Sequence, residues 1–206
     1  MLLLVGSMSP ATINKKIKRY LSIAVFSAFF ASTAAAQTVT ITNTPRPFSA
    51  KTPAKWVLQP LKSGNVKLDF QSPRGTPQAG CTVVVQTLTG LRGHSQDEFN
   101  AEMTKPLDIK GFASSLSVTL SNVRVISAGY GALSRLPTQI YKVQYSTGTP
   151  SGKIWSLGVI STTISVPDII WTVGCTGQGR TTAEAQKAFD YWQLELVAFP
   201  TFIKFL

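Results

Sequence analysis

The longest regular pattern of apolar positions in this chain lies between residues 153 and 178. Two runs rich in Ile, Val, Thr and Trp stand there on either side of Val166, Pro167 and Asp168. Such β-branched and aromatic residues fit the pleated, partly buried surface of a sheet better than a helix. Proline cannot donate a hydrogen bond to a ladder, and a following aspartate favours a turn. The pattern therefore predicts an antiparallel hairpin of two strands well inside a sheet.

Shorter alternations of apolar and polar residues predict five further strands. They cover residues 56–58, 66–70, 81–88, 118–128 and 140–146. The segment 81–88 carries no charge, so we expect it near the centre of the sheet. Glycines 129 and 131 and the pair Leu136 and Pro137 predict a bend between the last two strands. Short turns between neighbours favour antiparallel pairing in sequence order.

Two segments have the spacing of a capping box, in which a Ser or Thr side chain and a Glu three residues later satisfy each other's backbone amides. Ser95 with Glu98 predicts a helix to about residue 105, and Thr181 with Glu184 predicts a final helix that Pro200 ends. The large residues of the final helix recur at helical spacing and should pack across the sheet. They are Ala185, Ala188, Phe189, Trp192, Leu196 and Phe199.

Residues 1–36 have the order of a secretory signal peptide. A basic cluster at residues 15–19, an apolar run at 20–31 and three alanines predict cleavage between Ala36 and Gln37. The apolar run is shorter than the roughly 20 residues that a membrane span needs, so no transmembrane anchor is expected after cleavage. The Thr-, Pro- and Ser-rich residues 37–53 predict a flexible N-terminal tail with one short edge strand. Residues 54–206 predict a single α+β domain.

The chain after the predicted cleavage site is basic. Residues 37–206 contain 16 Lys and Arg and nine acidic residues, a net charge of +7. The basic residues stand singly rather than in runs, which indicates a solvated basic surface and no nucleic-acid partner. Attraction to an anionic membrane or cell-wall polymer stays open as an alternative.

Two cysteines, Cys81 and Cys175, remain after the predicted cleavage, and both lie in apolar, strand-like segments. In an oxidising compartment they can form a disulfide if their strands are neighbours. The alternative is two buried thiols that act as small apolar side chains. We predict that the cysteines lie on neighbouring strands, that the final helix covers the same face, and that Trp192 is buried there.

Patterns for catalysis and metal binding are missing from the sequence. His94 is the only histidine, which excludes a multi-histidine metal site, and its place beside Gly93 before a helix indicates a solvated turn residue. The Gly-rich residues 174–180 precede the final helix, so Arg180 is a candidate for holding an anion, with a plain connecting turn as the alternative. We therefore predict no catalytic, cofactor-binding or metal-binding residue.

The order of these elements resembles the Mog1/PsbP-like superfamily, and in particular its exported bacterial members. The resemblance rests on CTVVVQ at 81–86, SQDEF at 95–99, the segment 131–145 with its Leu–Pro pair, IWTVGCTG at 170–177 and AFDYW at 188–192. It implies a helix-sheet-helix sandwich, an antiparallel β-sheet flanked by helices, without a shared catalytic residue. Members of this superfamily are mostly accessory or binding proteins.

Together these features predict an exported, non-enzymatic accessory or binding protein, either periplasmic or secreted. Its expected partner is a protein or an envelope component, and no cofactor is expected. A secreted, host-facing factor is one alternative. A small thiol-dependent hydrolase is the other, with Cys81 or Cys175 as nucleophile and His94 as base.

Overall fold

The computed structural model describes residues 36–61, 64–88, 93–150 and 152–206. The predicted signal peptide lies almost wholly outside these residues, so cleavage between Ala36 and Gln37 stays a prediction. The strands are β1 (Thr38–Ile41), β2 (Phe48–Lys51), β3 (Val57–Leu58), β4 (Val66–Gln71), β5 (Ala79–Thr87), β6 (Ser121–Leu133), β7 (Leu136–Thr149), β8 (Gly152–Ser165), β9 (Ile169–Gly179) and β10 (Ile203–Phe205). The helices are α1 (Gln96–Met103), α2 (Ile109–Ser117), α3 (Thr182–Tyr191), α4 (Gln193–Ala198) and a 3-10 helix (Phe199–Phe202).

Seven antiparallel strands form the central sheet, in the order β3-β4-β5-β9-β8-β7-β6. The predicted hairpin is confirmed, since β8 and β9 pair continuously from Ser165 opposite Ile169 to Trp155 opposite Gly179. The uncharged strand β5 lies inside the sheet, as expected. It pairs with β9 and not with β6, so the expectation of pairing in sequence order was wrong at this point, where α1 and α2 separate β5 from β6 in the chain. The chain thus has the predicted α+β fold.

Helices cover both faces of the central sheet. On one face, α3, α4 and the 3-10 helix bury Phe189, Leu196 and Phe199 in the main core. On the other face, α2 stacks the ring of Phe112 on that of Tyr141, with ring centroids 3.7 Å apart. A Cβ on Gly177 of β9 would lie 2.2 Å from a backbone nitrogen of α3, so only glycine permits this close packing. The predicted helix-sheet-helix sandwich is confirmed.

Residues 37–53 are not the flexible tail that the sequence predicted. β1 and β2 form a second sheet with β10, in which β2 is the middle strand. Phe48 of β2 is fully buried, with its ring edge-on to Trp171 at 5.2 Å between centroids. β2 is buried against β10 and against the face of the central sheet. The composition of residues 37–53 alone therefore could not predict this strand.

The region between α1 and β7 also differs from the sequence prediction. Helix α2 was not predicted; it begins at Asp108, whose carboxylate accepts the backbone N–H of Gly111 at 2.8 Å. The predicted strand from residue 118 therefore begins only at Ser121. The predicted bend at 129–137 is a tight turn at Ser134 and Arg135, both with positive φ.

The final helix is also interrupted. It breaks at Trp192 into α3 and α4, and the prediction of one continuous helix was wrong. Pro200 lies in the 3-10 helix, which leads the chain into β10 rather than into a free end. In the part of the chain that the structure describes, no helix is both long and apolar enough to cross a bilayer.

Candidate functional site: an apolar groove beside strand β3

The two cysteines lie directly opposite one another on β5 and β9 and are joined by a disulfide. Their Cα atoms are 4.1 Å apart. Both are buried in the same core cluster as Phe189 of α3, which confirms that they lie on neighbouring strands beneath the final helices. A buried disulfide is a structural cross-link and presents no thiolate, so the thiol-hydrolase alternative lacks its nucleophile in this state.

Trp192 is half-buried, so the prediction of its full burial was only partly correct. Its indole packs at the border of the main core, edge-on to Trp56 at 5.2 Å between centroids. The indole N–H donates to the carbonyl of Pro77 at 2.8 Å. A tryptophan at such a border places its apolar rings inward and its polar N–H on an acceptor.

His94 is the exposed turn residue that the sequence predicted. Its Nδ1 lies 3.6 Å from Oε2 of Glu98, which in turn accepts the backbone N–H of Ser95 at 2.7 Å. The bonds from Ser95 lower the pKa of Glu98, and the nearby His94 lowers it further. Glu98 thus completes the predicted capping box of α1. The described residues contain no group of three His, Cys, Asp or Glu side chains that could hold a metal ion.

Two buried tyrosines lie on the face that α2 covers. Burial raises the pKa of Tyr141 to about 12, and burial also raises the pKa of Tyr145. Both hydroxyls therefore stay protonated at neutral pH, and that of Tyr141 donates to Oε1 of Gln139 at 2.9 Å. These tyrosines act in packing and hydrogen bonding, not in proton transfer.

Arg180 precedes α3, but its surroundings do not favour an anion. Its backbone N–H donates to Oε2 of Glu184 at 2.6 Å, and Thr181 Oγ1 accepts the N–H of Glu184 at 3.2 Å. The carboxylate of Glu184 thus supplies the negative charge that this helix N-terminus favours. An incoming anion would meet that carboxylate, so we retain the alternative of a plain connecting turn.

A shallow apolar groove lies where the small sheet meets the β3 edge of the central sheet. Its volume is about 190 Å³, and it is lined by Val39, Ile41, Leu58, Gln59, Leu61, Lys67, Leu68 and Asp69. The side chains of Leu58 and Leu61 are 40% and 49% exposed. Strand β3 has only two residues, so this edge offers few free backbone groups. The groove therefore presents side chains rather than a strand to a partner.

Positive charge is concentrated in the same part of the chain. Residues 37–95 contain seven Lys or Arg and one acidic residue, whereas residues 96–206 contain nine and eight. Of these basic residues, Lys67 lines the groove together with Asp69. Lys51 pairs with Thr38, so its side chain lies on the other face of the small sheet from Val39 and Ile41. We call the surface formed by the groove residues and the neighbouring, exposed Val57 the β3 groove.

The sequence analysis did not predict the β3 groove. Leu58 and Leu61 stand in a short segment without a pattern that marks a binding site. The groove also needs Val39 and Ile41 of β1, and no local pattern predicts that β1 lies beside β3 and β4.

No protein-family model and no curated protein matches this sequence. Among solved structures, the chain is similar to cyanobacterial PsbP (CyanoP) from Synechocystis sp. PCC 6803. The TM-score is 0.52 at 12% sequence identity, over 88% of this chain and 99% of that chain. It is also similar to LpqN, a protein involved in cell envelope biogenesis of Mycobacterium tuberculosis, with a TM-score of 0.48 at 11% identity over 82% and 90% of the two chains. The chain has the Mog1/PsbP-like fold, as its sequence predicted.

Proposed function

We propose that this protein is an exported, non-enzymatic accessory protein that binds its partner through the β3 groove. The observation that carries the proposal is the apolar groove itself, whose lining includes the exposed side chains of Leu58 and Leu61. Apolar side chains that cluster on a surface with a polar rim are typical of interaction sites. The partner is an envelope component or a protein of complementary, negative charge.

Export is supported by two independent features. The N-terminal residues have the order of a signal peptide, and the folded domain contains a disulfide, which persists in oxidising compartments. Both features suit a periplasmic and a secreted protein equally. Cell fractionation decides between them, and protein confined to a periplasmic extract would end the host-facing alternative.

A binding role is supported further by the state of the reactive side chains. Cys81 and Cys175 are bonded to each other in the core, and His94 stands on the surface beside a carboxylate that caps a helix. These were the only residues on which an enzymatic alternative rested. The β3 groove, by contrast, is lined mainly by apolar side chains, which suit recognition rather than bond cleavage.

The proposal predicts that binding to native envelope depends on the groove. The double variant Leu58→Asp with Leu61→Asp removes two apolar side chains and adds two negative charges there, so we expect at least about tenfold less retained protein. The matched control is Leu194→Asp on α4, where the leucine is 64% exposed, and it should be retained like the unmodified protein. Retention is measured by quantitative crosslinking pull-down, with thermal melting as the check on folding.

Two results would contradict the proposal. Equal retention of the double variant and the control would show that the groove does not bind the partner. An absence of reproducible retention of the unmodified protein would remove the binding role itself.

A further inference from the structure

The predicted cleavage site lies directly beside the small sheet. Gln37, the residue after the predicted cut, is exposed, and its carbonyl oxygen accepts the backbone N–H of Thr52 at 2.9 Å and the Thr52 hydroxyl at 3.1 Å. Strand β1 begins at the next residue, Thr38. Chain termini are usually loose unless a sheet or a helix holds them. Cleavage after Ala36 would therefore leave a new N-terminus with no free residue before the sheet.

The other polar groups of Gln37 are free to react. In the part of the chain that the structure describes, neither its backbone nitrogen nor its side-chain amide takes part in a hydrogen bond. After cleavage, that backbone nitrogen becomes an α-amine on the same residue as the amide carbon Cδ. A bond between the two atoms closes a five-membered ring, and such an attack within one residue needs no encounter between separate reactants.

We propose that the exported protein carries a pyroglutamate at position 37. The neutral α-amine attacks Cδ, the bond between the α-nitrogen and Cδ forms, and the bond between Cδ and Nε2 breaks. Nε2 leaves as ammonia with the proton that the amine gives up, so no oxidant or other reactant is needed. The backbone carbonyl of Gln37 takes no part, so both hydrogen bonds from Thr52 persist in the product. The inference rests on the export and cleavage that the proposed function includes.

The ring changes the N-terminus in two ways. It removes the positive charge of the α-amine, and it leaves no free amine for an aminopeptidase. Loss of Gln37 would deprive the N–H and hydroxyl of Thr52, which is only 2% exposed, of their acceptor. Thr52 directly follows β2, which pairs with β1. The ring therefore protects the end of this strand pair, and with it Val39 and Ile41 of the β3 groove.

The test is mass spectrometry of the protein exported by a host that expresses the full chain. All amines are methylated before digestion, because a methylated N-terminus can no longer cyclise during handling. We expect an N-terminal peptide that begins at position 37, has no methyl group on its α-nitrogen and is lighter than its plain sequence by one ammonia. The matched control, Gln37→Asn, keeps the amide on a side chain one methylene shorter. The same attack would then need a strained four-membered ring, so its α-amine should be fully methylated.

Aminopeptidase treatment of the two purified proteins gives a second readout. The unmodified protein should keep its full length, whereas Gln37→Asn should be shortened from its N-terminus. Equal shortening of both proteins would overturn the proposal.

The result for the N-terminus also separates this inference from the proposed function. A methylated α-amine on Gln37 of the unmodified protein, or an N-terminus at another position after a cut elsewhere, would overturn the pyroglutamate. Export would stand in both cases, and the role of the groove would still be decided by Leu58 and Leu61. A chain that kept residues 1–36 and stayed inside the cell would contradict both proposals.

Discussion

Replacing Phe48 by alanine should lower the free energy of unfolding by about 3–5 kcal/mol. Phe48 is fully buried on the middle strand of the small sheet, and its ring packs edge-on against Trp171. Removing the ring would leave a cavity between the two sheets that the fixed strands cannot close. Equilibrium unfolding in urea, followed by tryptophan fluorescence and circular dichroism, measures the loss.

The control for this change is Phe202→Ala. Phe202 is 43% exposed in the 3-10 helix, so the same truncation there should cost less than about 1 kcal/mol. A loss below about 1 kcal/mol at Phe48 would show that the small sheet adds little to the domain. The N-terminal segment would then behave as the tail that its composition predicted.

Changing both cysteines to alanine should destabilise the protein by about 4 kcal/mol. Cys81 and Cys175 are 94 residues apart in the sequence, so their bond closes a long loop in the unfolded chain. Without the bond, the unfolded state gains conformational entropy, while the paired strands β5 and β9 keep their ladder in the folded state. The measurement is again urea unfolding, under non-reducing conditions.

Reduction provides the internal control for the cysteine prediction. The unmodified protein, unfolded and refolded with reductant, should lose about the same stability as the double variant, and reductant should not change the double variant. If reductant left the stability of the unmodified protein unchanged, the disulfide would contribute nothing to the fold.

The parts of the fold that the sequence predicted well are those set by local rules. The hairpin of β8 and β9 follows from two β-branched runs on either side of Pro167 and Asp168. The start of α1 follows from the spacing of Ser95 and Glu98, which bond as a capping box requires. Both signals lie within a few residues of the structure that they specify.

The parts that the sequence did not predict depend on contacts between distant segments. β2 is a strand because β1 and β10 pair with its two edges, and the C-terminal β10 could not be foreseen from the Thr- and Pro-rich residues beside β2. Trp192 interrupts the final helix where its indole reaches Pro77 and Trp56. In both cases tertiary contacts outweighed local preference.

The candidate site could be predicted only in part, because it also depends on contacts between distant segments. The sequence left the pairing of Cys81 and Cys175 open, since it depends on which strands are neighbours. The groove exists only because β1 lies beside Leu58 of β3 and beside Leu61 in the segment that follows β3. The exposed leucines and the side chains of β1 therefore form one surface only in the folded protein.

Partners should contact the β3 edge of the sheet rather than its opposite edge at β6. The most direct measurement places a photo-crosslinking amino acid at Leu58 or, in a second protein, at Ile126 on β6, where the side chain is also exposed. Both proteins are irradiated in intact envelopes. We expect adducts with lipid or protein from position 58 and none from position 126. Adducts from position 126 alone would contradict this expectation.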